Sequence, residues 1–428
     1  MTTQEKKKDK KEKGETLSSK NVSDILPKDG DAWKEIGRAV FGVAELHNFH
    51  YMETPVIERA EFFETKQNKD SLSKNHLYVV KGKGERLVLR PNYTLPFLRS
   101  YIDNHLGYFA SPLKIFSYGQ TFSIKQTNEH EKNISREWVF HVIGDNDPIY
   151  DVEIIHTTLE VMKALKIKDV SLLININGCR TCRGAYREKI KSFVGSKKGE
   201  LCSHCVHSHE KDPFAFFDCV SEKCTVTKKD APTVLDYLCQ SCNNYFKNLL
   251  ELIEDNGILY ELTPSLIRKS EGSNRLAFSV RAGGIELAAG GRHDYISETA
   301  FKRQIAAVGV SLFVDHITQV IQVQGNQILT RQKSRVFFIV VGDQAKKASV
   351  RLMHLLRSSG IITMEALGRK SLKMQLKAAE KAKAPVSVLL GQKEVFEETA
   401  IVRDMDTGAQ ETVTFAGLVE GVRKKLKS

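Results

Sequence analysis

The sequence predicts an α+β protein that combines an antiparallel sheet flanked by helices, a small cysteine-rich insertion, and a separate C-terminal α/β domain. Three observations support this class. Apolar residues alternate in some segments and recur at helical spacing in others; all eight cysteines lie between residues 179 and 242; and beyond residue 335 strands alternate with helices. With 428 residues, 41% of them hydrophobic, the chain is long enough for two to four domains.

The first half of the chain begins with an amphipathic helix over residues 31–46, in which Trp33, Ile36, Val40 and Val43 share one face. Alternating apolar runs predict the strands that follow it, at 77–80, 86–89, 113–123 and 136–143. Helical spacing predicts helices at 93–106 and 151–166. After the cysteines the pattern predicts a helix at 243–256, a strand at 275–289 that ends in two glycines, and a helix at 304–320.

A polar, weakly patterned segment at 323–334 is the best candidate for a linker. Beyond it the sequence predicts strands at 336–341, 361–366 and 386–390, separated by helices at 345–358 and 370–381, which implies a largely parallel sheet. A last helix is predicted at 416–427. The predicted domains are a disordered lysine-rich tail (1–22), a core in two parts (23–175 and 243–322), the cysteine-rich insertion (176–242), the linker (323–334) and the C-terminal domain (335–428).

The eight cysteines form four short pairs: Cys179/Cys182, Cys202/Cys205, Cys219/Cys224 and Cys239/Cys242. In chain order they give C-x2-C-x19-C-x2-C and then C-x4-C-x14-C-x2-C, which is the spacing of two four-cysteine zinc sites. The spacing does not decide which pairs share an ion. Structural disulfides are the alternative, but a lysine-rich start without a signal peptide or a membrane span predicts a reducing cytoplasm. We therefore predict two structural Zn²⁺ sites, which leave no open position for catalysis.

The net charge of +12 predicts a polyanionic partner, nucleic acid first, because lysine and arginine release counterions when they neutralise phosphates. Part of the excess lies in residues 1–20, where seven lysines face four acids. That segment is predicted to be disordered, and it is either an RNA-contacting arm or a solvated start without a function.

In order, these segments resemble histidyl-tRNA synthetase, a class II aminoacyl-tRNA synthetase, from about Leu26 to Leu426. The segments that carry the resemblance are 53–58 (ETPVIE), 89–94 (LRPNYT), 118–122 (YGQTF), 147–155 (DPIYDVEII), 288–294 (AAGGRHD), 370–377 (KSLKMQLK) and 402–405 (VRDM). The cysteine pairs also look like an insertion found in some members of that family. The resemblance implies a class II synthetase-type sheet, a C-terminal anticodon-binding domain, a homodimer without membrane contact, and tRNA or another structured RNA as the partner.

The family's chemistry uses ATP and Mg²⁺, with one arginine of the second class II motif on the α-phosphate and one of the third motif on the γ-phosphate. These donors stabilise charge while the amino acid carboxylate attacks. At the matching positions this chain has Ser123 and His316. A glutamate and a glycine expected after Pro91 are Asn92 and Tyr93, and a glutamine and a glutamate expected after residues 140–141 are Val142 and Asn146.

The resemblance thus implies that no catalytic set is intact. The family's arginine-led signature with two tyrosines is reduced to Arg268, in the segment 268–273. Arg136 is the only nearby arginine that a shifted gap in the second-motif loop would bring into register. The residual ligand-binding positions are Arg90, Thr94, Arg136, Arg268, Gly290, Gly291 and Arg292.

Three functions are compatible with this pattern. The first is a synthetase-like protein that keeps the scaffold, the zinc insertion and RNA binding but has lost histidine adenylation. The second is an active histidine–tRNA ligase with a rebuilt site, which would use ATP and Mg²⁺. The third is the synthetase-like regulatory subunit of ATP phosphoribosyltransferase, a family without the anticodon-binding domain that this chain is predicted to have.

Overall fold

The computed structural model describes residues 23–27, 29–64, 77–82, 84–124, 133–268, 272–325, 335–368 and 371–427. The predicted tail at 1–22 and the residues 269–271 and 326–334 lie outside this set. The chain divides into two compact units, one on each side of residues 326–334. The predicted α+β class, with a large sheet flanked by helices and a C-terminal α/β domain, is confirmed.

The first unit holds eleven strands among its described residues. They are β1 (His50–Tyr51), β2 (Ile57–Arg59), β3 (Val79–Lys81), β4 (Arg86–Leu89), β5 (Leu113–Phe122), β6 (Ile134–Ile143), β7 (Val170–Ile176), β8 (Glu261–Leu262), β9 (Asn274–Ala282), β10 (Ile285–Arg292) and β11 (Ala307–Phe313). Eight of them form one sheet in the order β1-β5-β6-β11-β10-β9-β7-β8, and β2-β4-β3 form a smaller one. The inner six strands of the large sheet are antiparallel, and its two edge strands pair in parallel.

The α-helices of this unit are α1 (Gly30–Leu46), α2 (Thr94–Asp103), α3 (Ile149–Ala164), α4 (Arg180–Ser196), α5 (Ser203–Ser208), α6 (Ala215–Asp218), α7 (Glu222–Thr227), α8 (Gln240–Asp255), α9 (Ile296–Phe301) and α10 (Val314–Val323). Short 3₁₀ turns lie at Ala60–Phe62, Leu106–Tyr108, Lys198–Glu200, Lys228–Asp230 and Val234–Tyr237. Within the described ranges, no helix is long and apolar enough to cross a membrane.

The two faces of the large sheet differ in composition, and this difference positions the site. One face is apolar and packs against α1, α3, α8 and α10 through residues such as Phe140, Val142 and Phe278. The other face carries small or polar residues at adjoining register positions: Gly119, Ser279, Ala289, Gly291, Gly309 and Ser311. Residues directly opposite each other in an antiparallel pair lie on the same face, so this small-residue face is continuous across the sheet.

The helix predicted at 304–320 is wrong over its first half, where the structure has β11, and α10 follows only from Val314. Residues 307–313 are mostly apolar, and the strand that they form is paired on both sides, with β6 and β10. Such a run fits a buried central strand as well as a buried helix, and its periodicity does not separate the two. Similarly, the single strand predicted at 275–289 is a hairpin of β9 and β10 with Gly283 and Gly284 at positive φ in the turn.

The second unit is a five-stranded sheet with four helices in its described part. Its elements are β12 (Arg335–Val340), α11 (Asp343–Ser358), β13 (Ile362–Glu365), α12 (Leu372–Lys381), β14 (Val386–Leu390), α13 (Gln392–Phe396), β15 (Thr399–Asp404), β16 (Gln410–Thr414) and α14 (Leu418–Lys427). The strand order is β13-β12-β14-β15-β16. The prediction of a largely parallel sheet holds for β12, β13 and β14 only, because β15 and β16 pair antiparallel and were not expected.

Candidate functional site

Arg90 and Tyr93 close the small-residue face above Gly119 of β5. A Cβ atom built on Gly119 would lie 2.1 Å from the Tyr93 hydroxyl and 2.4 Å from Arg90 Nη2. Arg90 donates to the carbonyl oxygens of Thr54 at 2.8 Å and Gln120 at 3.0 Å, and to the Tyr93 hydroxyl at 2.6 Å. Burial raises the pKa of Tyr93 well above its usual value. The neutral Tyr93 side chain therefore fills space above Gly119. A glycine at position 93 would leave that space open.

Thr94, at the start of α2, points at the same face and is also engaged within the chain. Its Oγ1 lies 3.2 Å from His141 Nε2. His141 is a β6 residue with 4% of its surface exposed, and burial lowers its pKa to about 3, so the ring is neutral. The neighbouring His293 is likewise kept neutral, because burial lowers its pKa to about 4. The hydroxyl that the family resemblance assigns to a ligand thus contacts an imidazole of this protein.

The far end of the small-residue face is where the resemblance places the ATP phosphates. The Ser123 amide bonds to the Asn133 carbonyl, and His316 Nδ1 lies 2.7 Å from the Glu286 carbonyl oxygen. Glu137 contributes a carboxylate that is 7% exposed and accepts a hydrogen bond from Thr121 Oγ1 at 2.8 Å. A phosphate bound here would meet this acid, which lies on the same face as Gly119.

Two arginines remain near that end, and an acid faces both. Arg268 donates to the Phe278 carbonyl oxygen at 2.6 Å and lies 3.8 Å from Glu286. Burial lowers the pKa of Arg268. Arg281 is the register partner of Glu286 and bonds Ser279. These three charged residues line a cavity of about 510 Å³ together with Asp218 and Lys228 of the insertion.

Arg136 lies on the opposite face of the sheet from the position of the missing second-motif arginine. Its guanidinium bonds Asp315 of α10 at 3.2 Å and the carbonyl oxygen of Ser23. Register places the next residue, Glu137, opposite Gly119 on the small-residue face. Because adjacent strand residues point to opposite faces, Arg136 cannot replace the arginine expected at Ser123.

The same alternation of side chains along β6 also removes Val142 from the face where the resemblance placed it. Val142 is fully buried in the apolar cluster on the helix side, so it does not line the small-residue face. His141 is the residue of this segment that does. Asn92 Oδ1 lies 3.4 Å from the Leu95 amide in the first turn of α2. Asn146 lines a separate cavity of about 480 Å³ with Asn274 and Asp294 at the other end of the sheet.

The glycine-rich strand β10 is held by a buried charge network. Arg292 Nε lies 2.8 Å from Asp151 Oδ1, and both side chains are fully buried. Asp294 lies 3.4 Å from Arg292 Nη1, and the Tyr245 hydroxyl donates to Asp151. Burial opposes the charge of Arg292, but the acids outweigh burial and raise its pKa. Arg292 therefore acts as a structural cation inside the fold.

Gly290 and Gly291, the remaining family positions, are needed for packing. A Cβ atom on Gly290 would lie 2.3 Å from the Phe278 ring, and one on Gly291 would lie 2.4 Å from the Leu276 carbonyl oxygen. Gly291 also has a φ of 157°. Their lack of side chains lets the Phe278 ring and the Leu276 carbonyl approach the β10 backbone closely.

Replacing Asp151 with alanine is expected to destabilise the first unit by about 3–5 kcal/mol, because it leaves the buried Arg292 charge without its main partner. Urea unfolding followed by circular dichroism measures the loss. The matched control is Glu160→Ala on the same helix, whose partner Lys163 is 78% exposed and whose loss is expected to cost under about 0.5 kcal/mol. Equal effects of the two variants would show that the network does not hold β10.

The eight cysteines form two groups, each with four sulfur atoms within 4.8 Å of one another. One group is Cys179, Cys182, Cys239 and Cys242, and the other is Cys202, Cys205, Cys219 and Cys224. The pairs are therefore nested, the first with the fourth and the second with the third, and not consecutive as chain order would suggest. The separations Cys179–Cys182 (3.5 Å), Cys202–Cys219 (3.6 Å) and Cys179–Cys239 (3.9 Å) approach the edge of about 3.8 Å of a tetrahedron with zinc–sulfur bonds of about 2.3 Å.

The two groups occupy different depths of the insertion. The outer group lies at the root of the insertion, since Cys179 is three residues after the end of β7 and Cys239 directly precedes α8. The inner group lies among α5, α6 and α7. There the Cys205 amide donates a hydrogen bond to Cys202 Sγ at 3.5 Å and lowers the pKa of Cys202 to about 7, whereas burial raises the pKa of Cys205 and Cys224. Each donor set consists of cysteine alone, so the residues present fit a structural zinc ion.

Family models match both parts of the chain. The model described as histidyl-tRNA synthetase matches residues 21–193, and the anticodon binding domain model matches residues 335–425. A histidine–tRNA ligase of Halothermothrix orenii is 28% identical over 414 residues, which is 95% of this chain and 98% of that protein. One of Moorella thermoacetica is 29% identical over 419 residues, 96% of this chain and 99% of that protein.

Solved structures give the same fold. Apo histidyl-tRNA synthetase of S. aureus has a TM-score of 0.74 at 23% identity and covers 95% of this chain and 99% of its own. A protein described as an ATP phosphoribosyltransferase regulatory subunit/histidyl-tRNA synthetase from Bacillus halodurans C has a TM-score of 0.60 at 16% identity, over 87% of this chain and 96% of its own.

Proposed function

This chain belongs to the histidyl-tRNA synthetase family, and we propose that it binds tRNA or another structured RNA on that scaffold without forming histidyl-adenylate. The main support for this proposal is that the side chains at the residual ligand positions already contact other residues of the same chain. Arg90 bonds Thr54, Gln120 and Tyr93; Thr94 contacts His141; and Arg292 is buried against Asp151.

The phosphate end supports the same conclusion by its charge. Adenylation requires cationic donors aimed at the phosphates. Ser123 is neutral, His316 bonds to a backbone carbonyl, and the arginines at 268 and 281 face Glu286. Glu137 adds a buried negative charge to the same face of the sheet. ATP and Mg²⁺ would belong to this protein only if the alternative function, an active histidine–tRNA ligase, holds.

That alternative is favoured by the curated relatives, which carry the name histidine–tRNA ligase over nearly their whole length. The reading as a regulatory subunit is favoured only by the fold-level likeness to the Bacillus halodurans protein. It is disfavoured by the anticodon-binding match at 335–425. Histidine-dependent exchange of pyrophosphate into ATP separates the two main functions.

RNA binding is supported by the second unit. Residues 335–428 contain 17 lysines and arginines against 10 acids. The apolar face of β15, with Ala400 and Val402, is buried in the cluster that includes α14, and the alternate residues Thr399, Ile401 and Arg403 lie on the other face. Arg403 Nε and Thr399 Oγ1 are buried without a hydrogen-bond partner among the described residues. Arg403 is half-buried on this second face, and its guanidinium group can neutralise an RNA phosphate there.

Replacing Arg403 with alanine is expected to weaken tRNA binding by about tenfold and to lower the slope of log affinity against log salt by about one. Affinity of the unmodified protein should itself fall by at least about a hundredfold between about 50 and 200 mM salt. Filter binding measures both. Lys424→Ala, on α14 against the other face, is the matched control and should change affinity little. Full tRNA retention after deletion of residues 335–428 would remove the basis for this assignment.

A homodimer is supported by exposed aromatic residues at the β1 edge of the large sheet. Phe41 is 51% exposed and stacks on Tyr51, while Phe109 is 72% exposed and packs on His50. Tyr108 beside it is 94% exposed. A contiguous patch of this kind is typical of a subunit interface, and a second copy of the chain would cover it.

Light scattering at micromolar concentration is expected to give twice the chain mass of 48.2 kDa. The double variant Tyr108→Ser, Phe109→Ser should give a single chain, because it removes apolar area at the centre of the patch. Leu259→Ser is the control, since this residue is 91% exposed close to the other edge strand, β8. A single-chain mass for the unmodified protein would contradict the dimer.

The zinc assignment is supported by the two cysteine groups, each with four sulfur atoms within 4.8 Å of one another. We expect about two ions per chain, bound only through thiolates. Zinc would supply folding free energy to an insertion built of short helices and turns.

A further inference from the structure

We propose that the protein fills its own amino acid pocket with the imidazole of His141, and that removal of this side chain opens a binding site for a free azole. This goes beyond the loss of adenylation, because it names the occupant of the pocket and the chemical class of ligand that can replace it.

The pocket around the ring is formed by residues on three elements. The imidazole lies directly on Gly309 of β11: a Cβ atom built there would be 2.5 Å from both Cδ2 and Nε2 of the ring. Thr94 Oγ1 on α2 lies 3.2 Å from Nε2. The ring of Phe97, one turn further along α2, meets the imidazole edge to face, with centroids 5.1 Å apart and planes at 79°. A glycine floor, a hydroxyl and an aromatic wall are complementary to a small planar heterocycle with a ring nitrogen.

The burial of the His141 ring differs from ordinary core packing, because one of its polar ring atoms is left without a partner. His141 is 4% exposed, and its Nδ1 has no hydrogen-bond partner in the part of the chain that the structure describes. Burying an unpaired ring nitrogen costs free energy that an apolar residue would not lose. The ring is therefore held by its Thr94 contact and by the fit to Gly309, and both of these groups remain when the side chain is removed.

The strand also keeps the imidazole in place. β6 is paired on both sides at this position, with Ile115 of β5 and Gly309 of β11 as the register partners of His141. The backbone cannot move the ring out without breaking these pairs. A free amino acid therefore has no room at Thr94 in the folded protein, and the unmodified chain needs no such ligand for stability.

The test is thermal unfolding of His141→Gly with imidazole as the probe. Imidazole at a concentration well above its dissociation constant should raise the midpoint of the variant by about 2–5 °C, and neither imidazole nor L-histidine should raise that of the unmodified protein. The matched control is Phe140→Ala, one residue away on the helix side, which opens an apolar cavity without a hydroxyl. Adding Thr94→Val to His141→Gly should abolish the response. The proposal would be overturned if imidazole stabilised the unmodified protein. It would also be overturned if imidazole failed to stabilise a folded His141→Gly variant.

A second measurement does not depend on ligand binding. Gly309→Ala in the unmodified chain should lower the midpoint by about 5 °C, because the added methyl group meets the imidazole. In the His141→Gly background, or in His141→Ala if the glycine variant does not fold, the same substitution should cost nothing. Equal losses in both backgrounds would show that the ring does not rest on Gly309. Histidine-dependent pyrophosphate exchange by the unmodified protein would refute both the proposed function and the filled pocket, because free histidine would then have room at Thr94. No exchange together with no imidazole response of the folded glycine variant would refute the filled pocket alone.

Discussion

Replacing Cys242 with serine is expected to release the whole insertion, whereas replacing Cys224 is expected to loosen only its inner part. The groups are nested, so the outer group joins the end of β7 to the start of α8, and the inner group closes a loop within it. Structural zinc sites contribute apparent free energies of about 10–16 kcal/mol in small domains, far more than short helices contribute without metal. Loss of the outer site should also disturb the core, because Tyr245 lies one turn after Cys242 and bonds Asp151.

Elemental analysis together with limited proteolysis measures the difference. The unmodified protein should carry about two zinc ions, Cys224→Ser about one, and Cys242→Ser none, because an unfolded insertion holds neither site. Cys242→Ser should expose cleavage sites throughout residues 180–238, and Cys224→Ser only between residues 202 and 224. His207→Ala is the control, since His207 lies outside both groups and bonds the Ser203 carbonyl. No zinc in protein purified without chelator would refute the assignment, and identical cleavage of the two variants would refute the nested order.

Restoring the two missing arginines, as Ser123→Arg with His316→Arg, is expected to leave histidyl-adenylate formation undetectable. One lost donor to a developing charge costs about 2.7–4 kcal/mol, and two cost about 5–8 kcal/mol if additive, or some four to six decades in rate. The two substitutions would restore only the free energy of the two arginine–phosphate contacts. Tyr93 would still occupy the space above Gly119, His141 would still contact Thr94, and Glu137 would still repel the phosphates.

Single-turnover assays for adenylate with histidine and ATP measure the outcome, and thermal unfolding checks that the double variant is folded. A gain of more than about a hundredfold over the unmodified protein would show that the amino acid subsite is intact. The loss of adenylation would then be caused only by the missing contacts to ATP.

The sequence was informative where chemistry depends on neighbours along the chain. Cysteine pairs with two or four residues between them converge in one turn, so two sites of four cysteines could be predicted from the spacing. Their partners could not, because the combination of Cys179 with Cys239 depends on how β7 and α8 meet. Chain order favoured consecutive pairs, and tertiary structure gives nested ones.

The sequence also could not predict which face of the large sheet each side chain of β6 occupies. Val142 and Arg136 were assigned to the site from alignment with a motif, but one residue of register moves a side chain to the opposite face. The structure turns both towards the helices, and His141 and Glu137 towards the small-residue face. No local signal in the sequence fixes that phase, because residues 136–143 contain buried side chains on both faces.

Histidine-dependent exchange of labelled pyrophosphate into ATP is the decisive measurement of whether this protein forms histidyl-adenylate. It is made with the unmodified protein at a concentration where the zinc content and the oligomeric state are known. Exchange is expected to be at least about ten-thousandfold slower than that of an ordinary synthetase, with no dependence on histidine. Exchange that requires histidine and runs within about a hundredfold of such an enzyme would contradict it and establish an active ligase with a rebuilt site.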